Sequence, residues 1–170
     1  TVIDTLKDSD SNRVYRTYDE ITAKTDFLPH AFVAIEDERF YEHNGIDIQG
    51  ILRAGVVGVM NGFDFTEGAS TLTQQLIKNN VFDFVNEKTF FDRVERKLQE
   101  QYLALAFEKE MNKNEILEAY LNTINLGQGC LGVQTASTRY FNKDVADLTL
   151  SECAVIAAIT QNPTEYDPVT

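Results

Sequence analysis

The chain has 170 residues, 43% of them hydrophobic, and a formal net charge of -12 at pH 7. This composition predicts one globular domain with a substantial core, and the acidic balance argues against nucleic-acid binding, which needs a basic surface. A phosphorylated substrate held by a few local cations is not excluded. No apolar run reaches the roughly 18 residues of a membrane-spanning helix. Because the chain starts at Thr1 without Met, we expect it to be a piece of a longer protein.

The predicted elements are mainly helical. Residues 1–27 differ from the rest, and β-favouring pieces at 1–3 and 13–18 predict a linker or strand arm before a main domain at 28–170. Apolar periodicity and capping residues predict helices at 29–36, 48–60, 70–80, 90–111, 115–122 and 151–160. Ser70 is the predicted N-cap of the third, and capping boxes are predicted at 112–115 and 149–152. The fold class is therefore mainly α.

The most informative segment is 34–47. Glu36 and Asp37 directly follow an apolar run, and Phe40, His43 and Gly45 come next at fixed spacing. A carboxylate at the end of an apolar helix face is a candidate general base. The alternative interpretation is a solvated turn after a helix.

A second polar segment, 68–79, surrounds a helix start. Ser70, Gln74 and Lys78 are spaced one turn apart, and free backbone N–H groups at a helix start attract anions. This arrangement predicts a cradle for a phosphate or for sugar hydroxyls. The alternative is a capped, polar surface helix.

The third segment, 96–100, lies within the longest predicted helix. Arg96 and Glu100 are four residues apart, which is also the spacing of a weak surface ion pair. Glu100 nevertheless shares a face with Leu103 and Phe107, and the opposite stripe is apolar too. We therefore predict that this helix is central in the fold and that the Glu100 carboxylate has a specific role there. The opposite stripe comprises Phe91, Val94, Leu98, Tyr102 and Leu105.

Two further patterns are not interpreted as binding or catalytic sites. Residues 127–132 match the G-x-G-x-x-G dinucleotide fingerprint, but that fingerprint needs a preceding strand, whereas a helix is predicted here. We predict a tight loop between two packed helices. Cys130 and Cys153 form no metal-binding or redox pattern, so each is predicted to pack as a small apolar residue.

Four motifs in this order resemble those of the family 51 peptidoglycan glycosyltransferases, which include the glycosyltransferase domain of class A penicillin-binding proteins and their monofunctional relatives. The resemblance covers about 28–168. The motif Glu-Asp-x-x-Phe-x-x-His-x-Gly is matched at 36–45, and Gly-(Gly/Ala)-Ser-Thr-x-Thr-Gln-Gln followed by Lys-Asn at 68–79. Arg-Lys-x-x-Glu is matched at 96–100, and (Ile/Leu)-Leu-Glu-x-Tyr-Leu-Asn at 116–122.

The resemblance implies a lysozyme-like, two-lobed fold around a long cleft. It also implies polymerisation of lipid II into glycan strands, with inversion at the anomeric carbon and release of undecaprenyl pyrophosphate. Glu36 is then the general base, and Glu100 a second catalytic carboxylate that orients cations or helps to hold a divalent metal. The implied substrate-binding residues are Ser70, Gln74, Gln75, Lys78, Asn79, Arg96 and Lys97. The implied supporting residues are Asp37, Phe40, His43 and Gly45, with Glu118, Tyr120 and Asn122 structural.

We expect that no cofactor is required and that there is no dedicated set of metal ligands. Binding of a divalent cation is kept as an alternative. The implied partners are lipid II, the growing glycan chain and the bacterial membrane, with moenomycin as an inhibitor and no nucleic acid. The implied location is the outer face of the bacterial cytoplasmic membrane, with an anchor in a segment N-terminal to this chain. Lys88 and Arg93 are candidates for one more basic substrate contact.

Two rival functions are kept. A lysozyme-like glycan-cleaving enzyme shares the fold class, but it does not need the cations of the second and third motifs. A non-catalytic glycan-binding domain would be indicated by loss of Glu36 or Glu100, and both are present.

Overall fold

The computed structural model describes residues 12–61, 68–82, 89–162, 165, 166 and 168. Within these ranges the elements, in chain order, are Tyr18–Ile21 (α1), Phe27–Glu36 (α2), Ile48–Met60 (α3), Leu72–Val81 (α4), Phe90–Glu110 (α5), Lys113–Thr123 (α6), Val133–Phe141 (α7), a 3-10 helix at Val145–Asp147 and Leu150–Ile159 (α8). The same residues form no strand beyond a lone bridge between Asn125 and Leu131. The mainly α prediction is confirmed.

The core lies where α2 packs against α8 and where α4 packs against α6. Its largest fully buried side chains include Phe32, Tyr120 and Ile156. The rings of Phe32 and Tyr120 meet edge to face with centroids 5.9 Å apart, a favoured geometry. Burial of each large apolar side chain contributes about 1.5–3 kcal/mol. This packing fixes the backbone from which Glu36 and Gln75 project.

Both cysteines belong to this core. Cys130 and Cys153 are each 1% exposed and carry free thiols. The prediction that they pack as small apolar residues is confirmed.

Helix starts follow the predicted capping chemistry with one shift. The capping boxes at 112–115 and 149–152 both form. The N-cap of α4, however, is Thr71, whose hydroxyl accepts the N–H three residues further on at 3.2 Å. Ser70, the predicted cap, lies one residue too early for that bond. Its hydroxyl is therefore available for the site described below.

Residues 12–17 form neither helix nor strand, and Tyr18 begins α1, so the strand alternative for 13–18 is not observed and the linker alternative stays a prediction. The segment packs on α6 and α7 instead. The Arg16 N–H donates to Asn122 Oδ1 at 2.8 Å, and the Arg16 guanidinium donates to Gln134 Oε1 at 3.0 Å. Side-chain acceptors on two helices thus take the place of a partner strand. The piece predicted at 1–3 lies outside the described residues.

The glycine-rich segment is the predicted tight connection between two helices, α6 and α7. Gly127, Gly129 and Gly132 have φ values of 75°, 70° and 81°, a region that favours glycine. A Cβ on Gly132 would also lie 2.7 Å from the Asn122 carbonyl oxygen. The sequence did not predict α7, because its N-cap is glycine and Val133 and Thr135 in its first turn are β-branched.

The predicted central position of α5 is wrong for one of its two faces. The buried residues of this helix are Glu100 and Ala104. The stripe opposite them is exposed, with Phe91 at 80%, Tyr102 at 73% and Leu98 at 62%. Periodicity identifies an apolar face but not what covers it. Among the described residues, no helix combines the length and apolar character needed to cross a bilayer.

Candidate active site

Glu36, the last residue of α2, is held by side chains from two other helices. Its Oε2 accepts a hydrogen bond from Gln75 Nε2 in α4 at 2.8 Å. Its Oε1 accepts from Gln161 Nε2 at 2.7 Å and from the hydroxyl of Thr160, which follow α8 directly. Glu36 is half-buried, so it is fixed in one orientation while still reaching solvent. A fixed, accessible carboxylate meets the geometric requirement for a general base.

The orientation of Gln75 is itself fixed. The Tyr120 hydroxyl donates to Gln75 Oε1 at 3.1 Å, which turns the amide NH2 group towards Glu36. Burial, with the charge of Glu36 as a smaller cause, raises the pKa of the Tyr120 hydroxyl above its ordinary range. Tyr120 therefore stays a donor at physiological pH, a role beyond the structural one predicted for it.

Asp37 and His43 form a buried pair beside Glu36. The His43 Nε2 lies 2.9 Å from Asp37 Oδ1, and His43 Nδ1 accepts the Gly45 N–H at 3.2 Å, which assigns the ring proton to Nε2. Asp37 Oδ2 also accepts the N–H of Leu72, the first residue of α4, at 2.9 Å. The carboxylate next to the candidate base thus ties the first motif to the second.

Gly45 completes this link. Its φ is 91°, and a Cβ there would lie 2.7 Å from the Ala104 carbonyl oxygen, so α5 approaches it closely. The Gly45 carbonyl accepts from Thr71 Oγ1 at 2.8 Å and from Gln74 Nε2 at 3.2 Å. Gln74 is 1% exposed. It therefore faces the core instead of the substrate side predicted for it, because its amide is used by the Gly45 backbone.

Phe40 is fully buried, and Lys113 Nζ lies 4.3 Å from the centre of its ring. The same ammonium donates to the His43 carbonyl at 2.7 Å and pairs with Glu108 at 2.6 Å. These contacts secure the loop after α2 to the junction between α5 and α6. The supporting residues predicted from the first motif are all found in this loop.

The third motif brings two cations onto Glu100. This carboxylate is 0% exposed, and it pairs with Arg96 through Oε1 and with Lys97 Nζ through Oε2 at 3.1 Å. Lys97 Nζ also donates to Ser70 Oγ at 2.7 Å. A buried carboxylate needs such partners. Glu100 therefore orients the cations and is not itself open to substrate.

The arrangement does not fit a divalent metal at Glu100. Both carboxylate oxygens are used by cations, which would repel a further positive ion. Among the described residues, no group of three or more His, Cys, Asp or Glu side chains is placed to hold a metal.

The remaining predicted residues that the structure describes lie on α4, α5 and α6. Lys78 is half-buried in the last turn of α4, Asn79 is exposed beside it, and Arg93 is exposed on α5. Lys88 lies outside the described residues. Glu118 and Asn122 bind the N-terminal segment, which agrees with the structural role predicted for them: Glu118 accepts the Tyr18 N–H at 2.6 Å, and Asn122 donates to the Arg16 carbonyl at 2.7 Å.

Sequence reasoning missed Thr160 and Gln161. They lie 124 and 125 residues from Glu36, so no spacing rule connects them. One signal was present: a polar pair stands at the end of an apolar helix here, just as Glu36 and Asp37 stand at the end of α2. Because α2 and α8 pack together, the ends of the two helices meet.

Arg39 was also missed. Its guanidinium donates to Asp47 Oδ2 at 2.6 Å, which holds the pKa of Asp47 below its usual value. Asp47 caps α3 by accepting the Gly50 N–H at 2.9 Å. This pair fixes the start of α3 at the edge of the site.

The candidate base borders a cavity to which the cation cluster is connected through Ser70. A space of about 150 Å³ is lined by Glu36, by Arg39 and by residues 68–71. Among these, Ser70 accepts a hydrogen bond from the Lys97 ammonium. The lining therefore carries acidic side chains, Glu36 among them, together with Arg39 and Arg53, and the Lys97 ammonium contacts this lining through Ser70. This pairing suits transfer from a donor with an anionic leaving group.

Known proteins resemble this chain over most of its length. A family model described as Transglycosylase matches residues 1–170. The chain is 52% identical over 145 residues to penicillin-binding protein 1A of Clostridium perfringens strain 13, covering 84% of this chain and 20% of that protein. It is 47% identical over 139 residues to penicillin-binding protein 1F of Bacillus subtilis strain 168, covering 82% of this chain and 18% of that protein. The chain thus spans about a fifth of these relatives.

Proposed function

Since the chain belongs to the transglycosylase family, we propose that it is a peptidoglycan glycosyltransferase that polymerises lipid II into glycan strands. The observation that carries this proposal is the single cavity bordered by the fixed Glu36 carboxylate and by Ser70 with its Lys97 partner. The activity is assigned to residues 28–170, with 1–27 as an arm.

In the proposed reaction, Glu36 removes the proton from the 4-hydroxyl of the acceptor sugar. The freed oxygen forms a bond to the anomeric carbon of the growing chain. The bond from that carbon to the lipid pyrophosphate breaks with inversion, and the pyrophosphate leaves with the electron pair. Gln75, Thr160 and Gln161 keep the base aimed at the acceptor, which lowers the barrier by orientation.

Negative charge grows on the pyrophosphate as it leaves, so cations there stabilise the transition state more than the ground state. Arg96 and Lys97 are the cations proposed for this role, together with Lys78 of α4. Glu100 acts through them as a positioning residue. Ser70, Gln75 and Asn79 are proposed as hydrogen-bonding partners of the substrate, while the burial of Gln74 favours a supporting role.

The reaction is proposed to proceed without a divalent metal. The argument is the donor set: each oxygen of Glu100 is already paired with one cation, Arg96 or Lys97, and the three groups together keep one net positive charge. The two cations then supply the positive charge that a metal would bring to the leaving group.

The exposed apolar faces support a membrane partner. Ile48, Leu52 and Met60 of α3 are 67%, 64% and 79% exposed. Ile48 borders the same surface cavity as Leu105 of α5, so the exposed faces of the two helices adjoin. An apolar patch of this kind is typical of a surface that contacts protein or membrane. A lipid-linked substrate favours the membrane, and the outer face of the cytoplasmic membrane, with an N-terminal anchor, is the proposed location.

Neither rival function is favoured. A glycan-cleaving enzyme of lysozyme type would leave the Arg96–Lys97 cluster without a leaving-group charge to stabilise. A pure binding domain would have no need of a base held by hydrogen bonds to both oxygens.

The test is polymerisation of fluorescent lipid II in detergent by the parent chain and by Glu36→Gln. We expect polymer from the parent and a loss of at least a hundredfold in the variant, within the range for general-base removal. Equal rates would refute the assignment of Glu36. A silent parent would count against the activity, and binding of moenomycin, the proposed inhibitor, would then distinguish an intact substrate cleft from a misfolded one.

A further inference from the structure

The two oxygens of Glu36 are not equivalent. Oε1 accepts two hydrogen bonds, from Gln161 Nε2 at 2.7 Å and from the Thr160 hydroxyl, whereas Oε2 accepts one, from Gln75 Nε2 at 2.8 Å. A carboxylate oxygen has about two lone-pair sites. Oε1 is therefore saturated, and Oε2 keeps a site that an incoming proton can use.

The Thr160 hydroxyl has a choice of two acceptors. It has one proton, yet it lies within hydrogen-bond reach of Glu36 Oε1 and also 2.7 Å from the Ala157 carbonyl oxygen. The Ala157 carbonyl already accepts the Thr160 backbone N–H at 3.3 Å. The hydroxyl can therefore turn to Glu36 without leaving that carbonyl unsatisfied.

Protonation of Glu36 changes which acceptor is better. The ionised carboxylate is the stronger acceptor, because hydrogen bonds to a charged group are roughly twice as strong as neutral ones. Once Glu36 has taken the acceptor's proton on Oε2, its charge is gone, and the Ala157 carbonyl becomes a comparable partner. The hydroxyl thus has a satisfied position in both states of the base.

Building on the proposed function, we infer that Thr160 and Gln161 are positioning residues of the general base: they saturate Glu36 Oε1, so that Oε2 takes the proton of the acceptor hydroxyl. The balance is simple. The acceptor O–H bond breaks, a proton bonds to Oε2, and the acceptor oxygen bonds to the anomeric carbon as the pyrophosphate leaves. Thr160 exchanges no proton with the substrate and only redirects its own.

The variants suited to a test are mild. Thr160→Val keeps the branched shape and removes the hydroxyl, while Thr160→Ser keeps the hydroxyl. Gln161 is exposed, so Gln161→Met removes its donor with little effect on folding. The matched set separates loss of the hydrogen bond from loss of packing at the end of α8.

Initial rates with fluorescent lipid II are measured at increasing substrate concentration. For Thr160→Val and Gln161→Met we expect kcat to fall about tenfold, since a misaligned reacting group costs one to two orders of magnitude, with KM within about twofold of the parent. Thr160→Ser should return to within about threefold of the parental kcat. The melting curves of Thr160→Ser and Gln161→Met should overlay that of the parent, whereas Thr160→Val should melt slightly below it because one hydrogen bond is lost.

Parental kcat in both Thr160→Val and Gln161→Met would overturn the inference, as would a Thr160→Ser variant as slow as Thr160→Val. If Thr160→Val fails to fold, Gln161→Met decides alone. These outcomes are separate from the test of function: a parent without polymer, or a fully active Glu36→Gln, counts against the proposed function itself.

Discussion

Replacing Tyr120 with Phe tests how far the orientation of the base depends on the core. Tyr120 is 1% exposed, and its hydroxyl donates to Gln75 Oε1 at 3.1 Å. Loss of one such hydrogen bond costs about 1 kcal/mol, and a buried acceptor left unsatisfied costs about 1–3 kcal/mol. Gln75 is half-buried, so water can partly replace the lost donor. We expect the free energy of unfolding to fall by about 1–2 kcal/mol.

The effect on rate has a different origin. Without the hydroxyl, the Gln75 amide is oriented by Glu36 alone, so it holds the base less rigidly. If this loss of orientation raises the barrier by the roughly 1.4 kcal/mol that corresponds to a factor of ten, kcat falls about tenfold. Urea unfolding gives the first quantity, and initial rates with fluorescent lipid II give the second.

A matched control separates the two effects. The Tyr140 hydroxyl donates to the Leu126 carbonyl at 2.7 Å, and neither residue lines the cavity beside Glu36. Tyr140→Phe should lose similar stability and keep the parental kcat. A Tyr120→Phe variant with the parental rate would refute the reasoning, because the Gln75 amide would then be oriented without Tyr120.

Three further outcomes are expected. Thr71→Ala should lower the free energy of urea unfolding by about 0.5–2 kcal/mol, the usual cost of a lost N-cap, and Ser70→Ala by less than about 0.5 kcal/mol; the reverse order would contradict the assignment of the cap. Hydrogen bonds from Lys143 and Thr149 lower the pKa of Glu152 from 4.5 to about 2, so its carboxylate stabilises the fold above pH 4.5, and this contribution is lost as the pH falls towards 2. Glu152→Gln should therefore melt below the parent at pH 7, with a gap that closes in acid; a constant gap would exclude this origin. Burial raises the pKa of the Cys153 thiol to about 11, so a thiol reagent should leave it unmodified in the folded chain at pH 8 and modify it in urea, and rapid labelling of the native chain would show that the thiol is accessible.

The motifs predicted the residues of the site better than their contacts. Glu36, Asp37 and His43 lie together because their spacing is local, and short-range spacing is what a motif records. Gln74 faces the core because the Gly45 carbonyl, 29 residues away, uses its amide. A motif records only short spacings along the chain, so it does not predict a contact over this separation. The contact of Thr160 with Glu36 could not be predicted from the sequence for the same reason.

Periodicity was informative for helix positions and misleading for burial. The long helix was predicted at 90–111 and observed at Phe90–Glu110. Its exposed stripe, with Phe91 and Tyr102, has the same spacing as a core-facing stripe. Whether such a stripe meets protein or another apolar phase depends on the tertiary arrangement, which a single helix does not encode.

The hydrogen bond from the Leu72 N–H to Asp37 Oδ2 makes the hydrogen-exchange rate of this amide a measure of the structure of the site. This N–H group is the first of α4. At most helix starts the first N–H groups have no partner within the helix, so they face water and exchange their hydrogen with solvent rapidly. Here a carboxylate that is 3% exposed covers it. Its deuterium uptake therefore proceeds only when the loop after α2 separates from α4. Protection of one backbone amide thus reports the integrity of the catalytic centre, with no substrate and no turnover.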